Sequence, residues 1–467
     1  MANCTKEAVR GQVQFELEEL ESSKGLPFRH LLSKERIQAA LNRAGITFRN
    51  RVYTPMVTLY AFLSQVTSQN DSSCKDAVSR VVADRAMHNL KDCSPETASY
   101  CEARARLPEE LFSDLARETG QELHRQSRSE WLWKERHVVI VDGSTASMTD
   151  SEENQKEYPQ TRSQKAGLGF PILRFVVLLS LATGGALECV IGPCRGKKTG
   201  EQNLFRQAWE ALETGDIVLG DRLYDAYRDI ALLRARGMDV VFGKKQSRHC
   251  DFRSGRKLGK NDHVVTWKTP KYIASRYESK EEWASLPEEM EMREIRIVVK
   301  RKGYRSRTIV VVTTLLDADT YSTKDVTDLF AQRWHCELDL RSIKRCLGMH
   351  HLHCCSPEMV RKELWTHLLA YNLIRVRMAQ AAAVHNRIPR TLSFSDTKKL
   401  MNNFAVYLAV TRGAERQRIE DRLIAAIARS HVGNRPGRKE PRAVKKRPKK
   451  YAFLTKPRVQ ARKGLAA

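Results

Sequence analysis

The feature that most constrains the fold is a change of period near Glu135, where apolar residues pass from helical to strand-like spacing. His137-Val138-Val139-Ile140-Val141 predicts a buried strand that ends in Asp142-Gly143-Ser144-Thr145. Ser147 to Leu168 reads as a polar loop. Leu173 to Leu181 and Ala186 to Ile191 predict two strands around Thr183-Gly184-Gly185, a hairpin. Gly200 to Leu212 carries Leu204, Phe205, Ala208, Trp209 and Leu212 at helical spacing. Asp216-Ile217-Val218-Leu219-Gly220 is a short buried strand running into Asp221-Arg222. Ala226 to Arg236 is a helix, and Met238 to Gly243 a further strand.

The order strand, strand, strand, helix, strand, helix, strand is that of an RNase H-like α/β domain. Three antiparallel strands come first, then parallel strands joined by crossover helices. Ligands in open sheets of this kind gather near strand ends, which directs attention to Asp142 and Asp221. Residues 244–312 interrupt the pattern with charge-rich alternation (His263 to Trp267, Arg293 to Lys300, Arg307 to Val312), a β-rich insertion. Before the core, residues 1–130 read as an all-helical domain. Ser33 starts one helix, Thr54-Pro55 caps another, and short basic helices follow that suit the DNA major groove or packing on a neighbour. The remaining boundaries are 131–243 for the first part of the core and 313–350 for its closing helix. A C-terminal helical region fills 351–433, and the tail is 434–467.

A formal charge of +26 on 467 residues makes a polyanion the expected partner. Residues 434 to 464 hold thirteen Lys or Arg against one acid, Glu440, and suit an extended segment that meets nucleic acid. The longest apolar run, Phe175 to Gly192, is broken by the Gly-Gly turn and carries Glu188, so no membrane span is expected. Eleven cysteines without framework spacing, and no signal peptide at the start, suggest reduced thiols in a cytoplasmic, nucleoid-associated protein. The cluster His350 to Cys355 lacks a second ligand pair at zinc spacing and reads as structural.

The stretch Phe330 to Gly348 reads as one helix, stopped by Gly348 with Lys344 and Arg345 near its end. Arg333, Glu337 and Lys344 lie one and two turns apart and share a face. A carboxylate between two cations suits metal-assisted work on a phosphodiester, and it also suits a solvated face with ion pairs. Three acids, Asp142, Asp221 and Glu337, thus fall at the points of the sheet-and-helix order where carboxylates can hold hard divalent cations.

These residues carry a resemblance. The sequence is similar to DDE transposases of the insertion-sequence-four family, whose mark is Tyr-x2-Arg-x3-Glu-x6-Lys. The register here is Phe330-x2-Arg333-x3-Glu337-x6-Lys344, with phenylalanine in place of tyrosine. Val141-Asp142-Gly143-Ser144 and Gly220-Asp221-Arg222 match the surroundings of the family's two aspartates. Tyr100-Cys101-Glu102-Ala103-Arg104 and Ala370-Tyr371-Asn372-Leu373 also look like family segments. The resemblance implies cut-and-paste movement of a DNA element, with Asp142, Asp221 and Glu337 holding Mg2+ or Mn2+ as two ions, and Arg333 and Lys344 gripping phosphates. It implies double-stranded DNA ends and target as partners, and a homodimer in the synaptic complex. Relatives stack a flipped base on an insertion-domain tryptophan. Trp267 is the candidate here ahead of Trp283, though the same strand position suits a core residue. A structure-specific nuclease of the same fold, or a DNA-binding derivative without catalysis, are the alternatives.

Overall fold

The computed structural model describes residues 32, 34–45, 51–68, 72–271, 280–299, 307–433 and 452–463. The expected helix start at Ser33 and most of the basic tail lie outside the described residues. Among the described residues five α-helices precede the sheet: α1 (Lys34–Arg43), α2 (Pro55–Thr67), α3 (Cys74–Met87), α4 (Ala98–Arg106) and α5 (Glu109–Arg125). Thr54 caps α2 as its sequence predicts, its hydroxyl accepting from the Val57 amide at 3.3 Å. Ser73 caps α3 in the same way.

The sheet strands are β1 (Val138–Met148), β2 (Ile172–Ser180), β3 (Ala186–Pro193), β4 (Ile217–Gly220) and β5 (Asp239–Gly243). A short helix α6 (Glu152–Glu157) lies where a polar loop was expected, started by the Ser151 hydroxyl on the Asn154 amide. Helices α7 (Glu201–Gln207) and α8 (Tyr227–Ala235) provide the crossovers. β1, β2 and β3 are antiparallel neighbours, while β4 and β5 run parallel to β1. The neighbour order β3-β2-β1-β4-β5 is the RNase H-like order anticipated from the sequence.

The insertion is not a separate sheet. Its strands β6 (Arg256–Gly259), β7 (Asp262–Lys268), β8 (Glu289–Val299) and β9 (Arg307–Thr313), with the short helix α9 (Lys280–Ala284), extend the core sheet, because β9 pairs antiparallel with β5. Two buried ion pairs fix it: Arg293 forks onto Asp262, and Lys244 reaches Glu294. Both cations are desolvated and so must be paired with a counter-charge.

Beyond the insertion come α10 (Thr323–Ala331) and α11 (Trp334–Arg341). The two-residue strand β10 (His351–Leu352) pairs in parallel with the end of β1, and α12 (Pro357–Val384), α13 (Phe394–Val410), α14 (Gly413–Arg429) and α15 (Arg458–Lys463) follow. One buried apolar cluster runs through α2, α5, the sheet face and α12, so these helices share the core of the sheet. A smaller cluster of Val57, Ala61, Val78, Val81 and Tyr100 belongs to α2, α3 and α4. Asn372 stitches the layers: its amide donates to Ala116 and Ala186 carbonyls, and its Oδ1 accepts from the Ala186 amide, all at 2.8 Å. Gly120 permits this approach, since a Cβ there would sit 1.8 Å from the Ala186 carbonyl oxygen.

Among the described residues no helix is long and apolar enough to cross a membrane, and Phe175 to Gly192 forms the β2–β3 hairpin. The His350–Cys355 segment is structural: the His353 and Cys354 amides donate to the Glu363 carboxylate.

Candidate active site

Strand β1 does not end at Asp142. It continues to Met148, because β2 pairs with it from Val139 to Ser147 and β10 joins at Ser147. The pairing with β4, by contrast, stops at Ile140, opposite Leu219. Carried on two residues, that parallel register sets Asp142 level with Asp221. Asp142 therefore stands where the β1–β4 ladder opens, and Asp221 caps the strand beside it.

Asp142 is mostly buried, and its Oδ1 accepts the Gly143 amide at 2.8 Å. Burial raises its pKa from 3.8 to about 6. The Gly143 hydrogen bond and Arg333 work against that rise, while the charges of Asp221 and Glu201 add to it. Asp221 turns back on its own chain, with Oδ1 accepting the Leu223 amide at 2.7 Å. The start of the next turn is thereby fixed, and so is the direction of its side chain.

The stretch Phe330 to Gly348 is not one uniform helix. α10 ends at Ala331, Gln332 and Arg333 form a turn, α11 spans Trp334–Arg341, and Ser342 to Cys346 is a single π-helical turn. Gly348, at φ +89°, stops it as anticipated. π turns commonly mark functional sites because they widen the ladder and re-aim side chains. Here the widened turn carries Lys344, whose ammonium donates to the Ser144 hydroxyl at 3.0 Å, two residues beyond Asp142 on β1. Burial and the neighbouring Arg345 lower the Lys344 pKa. Arg333 pairs loosely with Glu337 at 3.7 Å and also acts electrostatically on Asp142. Glu337 remains half-exposed. Phe330 lies against Gly243, which the Arg222 backbone, next to Asp221 in sequence, also approaches, and no hydroxyl stands at this position.

Residues invisible to sequence reasoning hold this helix down. Asp339, fully buried two residues past Glu337, pairs with both Arg375 of α12 and Arg390. Arg390 also donates to the Ser180 and Leu181 carbonyls at 2.7 Å. Lys398 reaches the Cys346 carbonyl at the end of the π turn at 2.6 Å. Nothing local in the sequence distinguishes these charges from the many on the surface.

Trp267 is a correction. It is 7% exposed, packs with Leu286, Met290 and Met292, donates its indole N–H to Glu294 at 2.9 Å, and has the Arg248 guanidinium 3.8 Å from its ring centre. With one edge bonded and one face covered, it offers no platform for a base, because the alternating strand position points inward. Trp334 at the start of α11 is the exposed tryptophan beside Arg333, at 56%.

Among the described residues, the one group of three potential metal ligands with donor atoms within 4.8 Å of one another is Cys250, His263 and Glu294 in the insertion. Glu294 there already accepts from Lys244 and Trp267. Asp142, Asp221 and Glu337 do not close to that spacing. Their donor set nonetheless fits a hard divalent cation. The carboxylates of Asp142 and Asp221 are oxygen donors close enough to raise Asp142 by mutual repulsion, a repulsion that a divalent charge relieves.

Residues 133–373 match the family described as the transposase DDE domain. Over 372 residues the chain is 29% identical to the transposase InsG of insertion sequence element IS4 from Escherichia coli (strain K12), covering 77% of this chain and 78% of that protein. A looser likeness, with a TM-score of 0.44 and 10% identity over 88% of this chain and 86% of the other, is to the piggyBac transposase in a cryo-EM synaptic complex with hairpin DNA. The family match spans more than half of the chain, and this protein belongs to the DDE transposases, metal-dependent enzymes of DNA strand cleavage and transfer.

Proposed function

We propose that Asp142, Asp221 and Glu337 hold the divalent cation, Mg2+ or Mn2+, with which this transposase cuts the ends of its insertion sequence and joins them to target DNA. The observation that carries the reading is the β1–β4 register, which sets Asp142 level with Asp221 at the opening of the ladder. The bond from Lys344 to Ser144 supports Glu337 as the third acid, because it ties the helix that bears it to the same strand.

Bound there, the cation supplies Lewis acidity that lowers the pKa of a water or 3′-hydroxyl and offsets charge on the leaving oxygen. The protein's own residues do the rest. Asp142 and Asp221 present fixed oxygens because each is hydrogen-bonded to a backbone amide. Arg333 offers a planar fork for a phosphate and Lys344 a point charge, on either side of Glu337. The +26 charge and the basic tail collect double-stranded DNA, terminal repeats and target alike, with an affinity that falls steeply with salt. The helices of residues 1–130 read the terminal repeats, two copies of the chain hold the two ends, and the protein works on the nucleoid.

The test uses duplexes that carry the element's own ends. Asp142→Ala, Asp221→Ala and Glu337→Ala should each abolish nicking while end binding persists. Nicking at the wild-type rate in one of them removes that residue from the site. A product in which the 3′ end is joined to target DNA separates transposition from simple hydrolysis.

A further inference from the structure

A fourth carboxylate lies beside Asp142. Glu201 is the first residue of α7, and its carboxyl group lies over Gly143: a Cβ at Gly143 would fall 2.5 Å from its Cδ and 2.7 Å from its Oε2. The amide of the same glycine donates to Asp142 Oδ1. A residue without a side chain thus lets two carboxylates share one place, and any larger residue would push Glu201 away. The nearest cation to Glu201, Arg174, stands 3.7 Å off, beyond hydrogen-bond length, and its Nε has no hydrogen-bond partner. Two carboxylates are therefore held together, with Arg174 and Arg333 as the cations that act on them from a distance.

A second observation points to a ligand. Tyr224 lies three residues after Asp221, in the turn its own amide closes on the Asp221 carbonyl at 3.3 Å, and is 1% exposed, yet among the described residues its hydroxyl has no hydrogen-bond partner. Phe205 and Phe242 hold its ring, with centroids 5.1 and 6.3 Å away. The charges it senses are those of Asp142, Glu201 and Asp221. A buried hydroxyl is seldom left unpaired without a functional reason, and the carboxylates that act on this one are those of Asp142, Glu201 and Asp221.

We infer that Glu201 is a fourth carboxylate of the divalent-cation site, and that the Tyr224 hydroxyl donates to an oxygen ligand of the same ion. The inference rests on the assignment of that ion to Asp142 and Asp221. Hard cations take several oxygen ligands, and Mg2+ keeps some of its waters. Glu201 adds the charge needed to hold the ion, and Tyr224 orients a coordinated oxygen from outside, as partners beyond the ligands do in metal sites.

The experiment is an Mn2+ titration of the full-length, chelator-stripped protein, with free Mn2+ followed by electron paramagnetic resonance. Thermal melts in chelator confirm that each variant is folded. Glu201→Gln should weaken Mn2+ binding by about tenfold or more, and Tyr224→Phe by a smaller factor of the same sign. Glu201→Asp, which keeps the charge, should recover part of the loss. Arg174→Gln, which removes the ion pair and the bond to the Thr199 carbonyl but no carboxylate, should bind Mn2+ at least as tightly as wild type. If Glu201→Gln binds like wild type while Asp142→Asn does not, the inference fails and the three-acid site stands. Equal weakening by Arg174→Gln would also overturn it, because the ion pair would then be what matters. If Asp142→Asn and Asp221→Asn also bind like wild type, the assignment beneath it falls.

Discussion

Asp142 makes a sharp test because its proposed role as a metal ligand and the stability of the fold pull it in opposite directions. Its folded pKa of about 6 lies above the 3.8 of the unfolded chain. The folded protein therefore binds this proton more tightly than the unfolded one. The stability that comes from this residue is fully present below pH ~4 and is lost as pH rises to about 6. A rise of two units corresponds to about 3 kcal/mol, the cost of holding the ionised carboxylate in its buried place at neutral pH. Asp142→Asn removes the charge and keeps an oxygen to accept the Gly143 amide. At about 2 cal/mol/K of unfolding entropy per residue, a chain of this length gains roughly 3 °C in Tm from that change. The assay is thermal unfolding by calorimetry in chelator, wild type against Asp142→Asn, across pH 4 to 8. The variant should melt higher at pH 7.5, the gap should close toward pH 4, and added Mn2+ should raise the wild type alone. A variant no more stable than wild type at pH 7.5, or a gap unchanged at pH 4, would refute the reasoning.

Three further outcomes are expected. Asp339→Ala leaves Arg375 and Arg390 buried without their counter-charge, so it should destabilise the protein by about 3–5 kcal/mol, read in denaturant titrations. Trp267→Ala should cost about 3–5 kcal/mol as a core truncation, and Trp267→Phe should leave end cleavage near wild type while lowering stability, as loss of packing and of the Glu294 bond requires; a cleavage defect without a stability loss would restore the stacking role. Lys344→Gln should weaken DNA binding across sequences and reduce the salt slope of log K by about 1, measured by fluorescence anisotropy at several salt concentrations.

The core was legible because its strands and helices are long enough for their periods to show. The order of elements from His137 to Gly243 needs only local alternation, and the turn residues Asp142-Gly143 and Asp221-Arg222 punctuate it. The helix at Phe330 was legible in its spacing but not in its break. The turn at Gln332 and the π turn at Ser342 lie on either side of Asp339, which Arg375 and Arg390 hold from other elements, and Lys398 holds the end of the π turn. The strand end at Asp142 was placed too early for a related reason. Polar residues after Val141 look like a loop until β2 and β10 pair with them.

By itself the chain determined its element order, its basic charge, and the three acids at spacings that suit a sheet and a helix. All of these are properties of near neighbours along the backbone. Only the folded molecule decided that Trp267 turns inward, that β9 joins the insertion to the core sheet, and that Glu201 and Tyr224 stand beside Asp142. Those outcomes depend on which distant side chains desolvate one another. Contact across dozens or hundreds of residues leaves no periodic signal in the sequence.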